Sequence, residues 1–310
     1  MHIAASRLAS VALLSLALSS TGCIKKILTD GQISSTRQAS DAFNTFSDWD
    51  VAYRAASAGL AQFEGMHNLA PYNEDAMFLL TRGWSGIGFG FIEDEMEQAE
   101  DLHGEDSELA TYHRARAIAA YARAIHYGTM LLETLHEGFE AARRNNDTME
   151  LWLAEFEDPE EAPYLLWTGQ AWMSKVNLQK DNPEIVADLF VGYLMIKRSV
   201  ELDPTYSYAS GHAVLGAYHA RSGMAELDES KKHFEEAMRL TEGKALLVKF
   251  NYATKYYCAK VDKDSYVKLL REVVKAGDTL PEQRLPNTIA KRRARRYLTK
   301  QRMEACGFAS

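Results

Sequence analysis

The strongest constraint on this chain's fold is a run of helix starts and stops separated by short gaps. Ser47 stands three residues before Asp50, and Asn73 precedes Glu74 and Asp75. Asp106-Ser107-Glu108 and Asp181-Asn182-Pro183-Glu184 repeat the logic. Each places a side-chain oxygen ahead of a first turn that carries acids or proline. Gly104, Asp203-Pro204, Gly243 and Gly277 mark the stops. No run alternates in the period-two, β-branched manner of a strand. Short connections force consecutive helices to fold back as antiparallel pairs. The expected fold is all-α, a set of helix hairpins forming a solenoid or bundle. With 46% hydrophobic and 10% aromatic residues, the chain can bury a sizeable core.

The stretch from Val191 to Lys260 decides the kind of hairpin. Gly192 and Ile196 lead into Glu201-Leu202-Asp203-Pro204, followed by Leu215-Gly216, Tyr218, and Phe234 with Ala237 three residues on. This resembles a tetratricopeptide repeat, in which small and aromatic positions interlock two helices and a proline turn follows the second. Ser199 stands where the repeat has Ala, and Tyr218 is one position early. Gly216 is expected where the two helices meet too closely for a side chain.

The amino terminus predicts export. Arg7 precedes an apolar run from Leu8 to Leu18, then Ser19-Ser20-Thr21-Gly22-Cys23. The run is shorter than the roughly 20 residues of a membrane span and has the layout of a signal peptide. Its end resembles a bacterial lipobox, with Ser20 where Leu is usual, which implies cleavage before Cys23 and acylation of its thiol. Ile24 replaces the Asp that retains such proteins at the inner membrane, so the outer membrane, facing the periplasm, is expected. The divisions are a leader over 1–22, a lipidated start and polar tether over 23–45, one helical domain over 46–304 and a tail over 305–310. The formal charge of −8, one unit more negative without Arg7, argues against nucleic-acid binding. Cys258 and Cys306 lie 48 apart, and the pattern leaves open whether they pair or stay free.

No catalytic or metal constellation is present. Gly83, Gly86, Gly88 and Gly90 lack the G-x-G-x-x-G spacing and a preceding strand, so they are read as a packing face. His212 and His219 are seven apart, unlike zinc-enzyme pairs. Glu93, Asp94, Glu95 and Glu97 read as a solvated helix face. The run Lys291, Arg292, Arg293, Arg295, Arg296, Lys300 and Arg302 reads as a solvated or acid-paired one. The aromatic residues are the candidate ligand or pore lining: Tyr164, Trp167 and Trp172 on one helix, with Tyr193, Tyr218 and Tyr252. Core packing is their other role.

An ordered series of motifs spans residues 47–303. It includes Arg114-Ala115-Arg116, Pro163-Tyr164-Leu165-Leu166-Trp167, Asp181-Asn182-Pro183, and Lys197 through Pro204. His233-Phe234-Glu235-Glu236-Ala237, Arg284-Leu285-Pro286-Asn287 and Arg292-Arg293-Ala294-Arg295-Arg296 close it. The series resembles the TatT family of tetratricopeptide-like lipoproteins associated with TRAP transporters. The resemblance implies a non-enzymatic, membrane-tethered periplasmic protein, a homotrimer with a pore or cleft in each protomer. It also implies a solute-binding protein as partner, a possible small organic ligand, and no cofactor. A general tetratricopeptide-like scaffold for outer-membrane assembly, without a small ligand, is the alternative.

Overall fold

A computed structural model describes residues 26–221 and 225–308. Cys23 and the leader lie outside the described residues. Those residues form helices and no strand. Helix α1 covers residues 26–39, and a 3-10 turn spans Ser40–Thr45. Then follow α2 (Trp49–Leu69), α3 (Glu74–Ile87), α4 (Glu93–His103) and α5 (Glu108–Leu135). The middle contains α6 (Phe139–Ala142), α7 (Asn146–Leu153), α8 (Ala162–Asn177), α9 (Pro183–Ala187), α10 (Leu189–Leu202) and α11 (Tyr206–His219). The chain closes with α12 (Leu227–Leu240), α13 (Leu246–Asn251), α14 (Lys263–Lys275), α15 (Arg284–Tyr297) and α16 (Lys300–Ala305). Two π-helical turns interrupt the order, Gly88–Ile92 and Tyr252–Tyr257. No helix among the described residues is long and apolar enough to cross a membrane.

Most starts fall where the side-chain oxygens place them. Asn73 accepts from the Ala76 amide, Ser107 from Ala110 and Asn182 from Glu184. The start of α2 shifts by one residue: Asp48, not Ser47, caps it by accepting from Val51. Gly104 ends α4 with φ +95°.

Helices α2, α3, α5, α8, α10, α11 and α12 pack in sequence, each on the next. At the α11–α12 junction, a Cβ on Gly216 would come within 2.8 Å of the Phe234 ring, so this repeat register holds. Ser199 is buried because its hydroxyl donates to the Ala162 carbonyl at 2.7 Å. That hydrogen bond explains a polar residue at a small-residue position. Helix α11 opens on three residues with left-handed backbone, Ser207, Tyr208 and Ala209. Each costs about 1–2 kcal/mol. Asp203 caps the preceding turn through the Thr205 and Tyr206 amides, and Tyr208 donates to Glu282.

The series then bends back on itself. Helix α15 packs on α2 and on the 3-10 turn before it. Thr288 donates to the Ser47 carbonyl, and the Arg292 guanidinium lies 4.3 Å from the Trp49 ring centroid. The two ends of the solenoid therefore meet.

Two segments differ from the sequence reading. The polar tether is helical from residue 26, and its Ile33 is buried against Met66, Ala76 and Leu79. A single apolar side chain in a polar stretch suffices to dock it, with Arg37 bridging Asp75 and the Tyr164 hydroxyl. In the tail, Phe308 is buried edge-on against Tyr266. Cys258 and Cys306 form a disulfide with Cα atoms 5.0 Å apart, which settles the open pairing.

Candidate functional site

Where the ends meet, the acids of α4 face the cations of α15 and α16. Asp94 is 0% exposed and accepts from Arg292 at 2.5 Å and from Arg296 at 2.6 Å. Glu97 is bonded by Arg296 and, at 3.1 Å, by the Tyr297 hydroxyl. Arg302 reaches Asp101 at 2.6 Å. This corrects the reading of these acids as a solvated face. Asp94 and Glu97 are desolvated and paired with arginines some 200 positions away, while Glu95 pairs with Arg116 of α5 at 2.8 Å. The paired reading of the basic run holds for Arg292, Arg293, Arg296, Lys300 and Arg302, while Arg295 is exposed.

The first π-helix sets this geometry. A Cβ on Gly88 would come within 2.9 Å of the Tyr121 ring, and one on Gly90 within 3.0 Å of Ile289. The glycine-rich run is therefore a packing face, as expected. The π-turn delivers Glu93 to Tyr121, whose hydroxyl donates to it. Burial raises the Glu93 pKa and outweighs the pull of Arg293. Burial also acts to raise Glu97, one turn on, but Arg293 and Arg296 outweigh it and hold its carboxyl low. Neighbouring carboxylates pushed in opposite directions mark a low-dielectric, charge-dense locus.

Lys255 completes the site from the second π-helix. Its side chain is exposed, yet desolvation lowers its pKa and it senses Glu97, Glu93, Arg293 and Arg302. Among the described residues it has neither ion pair nor hydrogen-bond partner. Its charged neighbours come from α4, α15 and α16, and its own π-turn packs on α11, α12, α13 and α14. The first π-turn leads into Glu93 and the second carries Lys255, and such turns recur at functional sites. No local pattern in the sequence marks Lys255. The inserted residue of a π-turn has no compositional signature, and the partners are distant in sequence.

Four of the six aromatic candidates meet at one core cluster, with Trp167 and Tyr193 packed against the buried Tyr164 and Trp172, while Tyr252 lies in another. Tyr164 and Trp172 are buried in one core cluster with their polar tips satisfied. Tyr164 accepts from Arg37, and Trp172 donates to the Asp188 carbonyl at 3.0 Å. Trp167 is half-buried, donating to the Tyr206 hydroxyl at 3.1 Å beneath Arg82. Tyr193 and Tyr218 are stacked at 4.2 Å, both half-buried, with Arg221 over Tyr218. Tyr252 is buried and stacked on Phe234.

His212 and His219 do share a face of α11, and His233 of α12 joins them. Its Nδ1 lies 3.0 Å from that of His212, and its ring is parallel to His219. Burial and these two neighbours push the His233 pKa down to about 4, so its imidazole is neutral at neutral pH. A separate open groove of about 820 Å³ runs along α14, lined by Lys249, Lys268, Arg271 and Lys275 among others. It is open to solvent, and none of the network's charged side chains lines it.

A model of the TRAP transporter T-component family matches residues 46–304. No curated protein matches the chain. The family match takes in the helical hairpins, both π-turns and the ionic closure. The chain therefore belongs to the TRAP transporter T-component family and is associated with a TRAP-type system.

Proposed function

We propose that this chain is a non-enzymatic, lipid-anchored periplasmic component that docks a solute-binding protein of its TRAP system. In this reading Lys255 lines a central recess that gives a small organic ligand a path or holding site. The anchor is Cys23, the membrane is the outer one, and the working assembly is a homotrimer. The observation that carries the reading is Lys255: its side chain is exposed, yet its pKa is lowered by desolvation among charged groups from α4, α15 and α16. An assembly scaffold needs surfaces and has no use for a charged internal recess. Of the aromatic candidates, Trp167, Tyr193 and Tyr218, which are half-buried, are the ones that touch ligand or partner in this reading. Tyr164, Trp172 and Tyr252 hold the core.

One fractionation tests anchor and partner together. The chain is expressed with the solute-binding protein encoded beside it. The wild type should carry both proteins into the membrane fraction. Cys23→Ser should release both, still co-eluting as a complex of three copies of this chain. A solute-binding protein that stays soluble beside membrane-bound wild type removes the docking claim. A soluble wild-type chain removes the anchor.

A further inference from the structure

We infer that Ile27, Leu28, Leu69 and Tyr72 form an apolar patch that enters the bilayer surface beside the lipid anchor and holds the helical body in one orientation on the membrane. The inference rests on the proposed anchor at Cys23 and names the face of the body that meets the lipid.

A large apolar side chain exposed alone needs no explanation, but several gathered at one place mark an interaction surface. Ile27 and Leu28, in the first turn of α1, are each 68% exposed. Leu69 and Tyr72, at the turn between α2 and α3, are 68% and 87% exposed. The two segments are pinned together. Asn73, next to Tyr72, donates to Asp30 at 2.9 Å. Asp30 lies three residues after Ile27 and shares its face of α1. One turn further, Ile33 is buried against Met66, Ala76 and Leu79, and Arg37 then bridges Asp75 and Tyr164. Helix α1 is thus fixed to the body along its length, with its first turn beside the α2–α3 turn. The chain before it says what covers the patch. Cys23 stands three positions before Lys26, a span of at most about 10 Å. An acylated Cys23 therefore keeps lipid against the first turn of α1, and the docked helix passes that constraint to the whole body. Lys26 is exposed and has no ion pair among the described residues, which suits a lipid phosphate. Tyr72 has the apolar ring and polar tip of a side chain at the headgroup level. Glu74, exposed just beyond Asn73, limits the patch on the α3 side.

Quenching by nitroxide-labelled lipid tests this on the full chain purified from membranes. Cys258 and Cys306 are bonded to each other, so a new cysteine takes a fluorescent thiol label. Leu69→Cys reports from the patch. Leu102→Cys is the control: it is 76% exposed at the other end of the continuous α3–α4 helix, about 40 Å away at 1.5 Å per residue. Each labelled chain is reconstituted into vesicles of phosphatidylethanolamine and phosphatidylglycerol that carry a nitroxide near the top of the acyl chain, and flotation with the vesicles is read alongside. The Leu69 label should be quenched severalfold more than the Leu102 label. Adding Leu28→Glu with Tyr72→Glu should remove most of that difference at unchanged melting temperature, because both side chains are exposed, while the chain still floats. A floating chain with both labels quenched alike overturns the proposal, as does quenching at Leu69 that survives the two glutamates. Either result leaves the anchor standing. A Leu69 label untouched by lipid but shielded when the solute-binding protein is added gives the patch to that partner and also overturns it. A chain that does not float removes the anchor and the patch with it.

Discussion

Arg296→Met should destabilise the folded chain by about 3–5 kcal/mol, because it strips a buried charge network of a central cation. Asp94, fully enclosed, would keep Arg292 and the Gln98 amide at 2.8 Å. Glu97 would keep the Tyr297 hydroxyl and Arg293 at 3.7 Å. Neither acid can recover water without opening the contact between α4 and α15. Urea unfolding at neutral pH measures the loss, and a change under about 1 kcal/mol would mean that the cluster is hydrated. The pH dependence has a defined sign. Burial works to raise Glu97, but Arg293 and Arg296 hold its folded pKa below the unfolded value of about 4.5. Its stabilisation is present above that pH and is lost as pH falls through the folded value. Arg296→Met should therefore also flatten the acid limb of the stability profile.

Breaking the disulfide is the second large effect. The bond closes a sequence separation of 48 residues, for which the chain-entropy account gives about 4 kcal/mol. Cys258 directly follows the π-turn that carries Lys255, and Cys306 directly follows α16, which carries Arg302. Cys258→Ser with Cys306→Ser should thus lower stability by about 2–5 kcal/mol and loosen the recess wall. Full reduction of the wild type should lower its melting temperature to match the double variant. Unchanged melting in both would show that the helical packing of α14, α15 and α16 suffices.

What the sequence made legible was local. Asn73, Ser107 and Asn182 cap helices because a side-chain oxygen needs only the next few amides. Ser47 and Asp48 are adjacent acceptors, and only the backbone course of the structure separates them. Gly216 opposite Phe234 was legible because the repeat fixes their spacing. The α4 acids were misread because their neutralising arginines come from the far end of the chain, where closure of the solenoid brings them. Ile33 went unnoticed as a lone apolar residue, although its whole side chain is covered. Lys255 was invisible because a π-turn and a distant set of charges, not a motif, make it unusual.

The proposal that Lys255 lines a solvent-filled recess inside the fold is tested most directly by size-selective lysine labelling. The native chain is treated with formaldehyde and a borane reductant, and in parallel with the same chemistry carried on a large polymer. Sites are read by peptide mass spectrometry. Lys268, on the outer face of α14, should react with both reagents. Lys255 should be methylated by the small reagent and spared by the large one. A Lys255 that resists both until the protein is unfolded, or that reacts with both as readily as Lys268, would contradict the account.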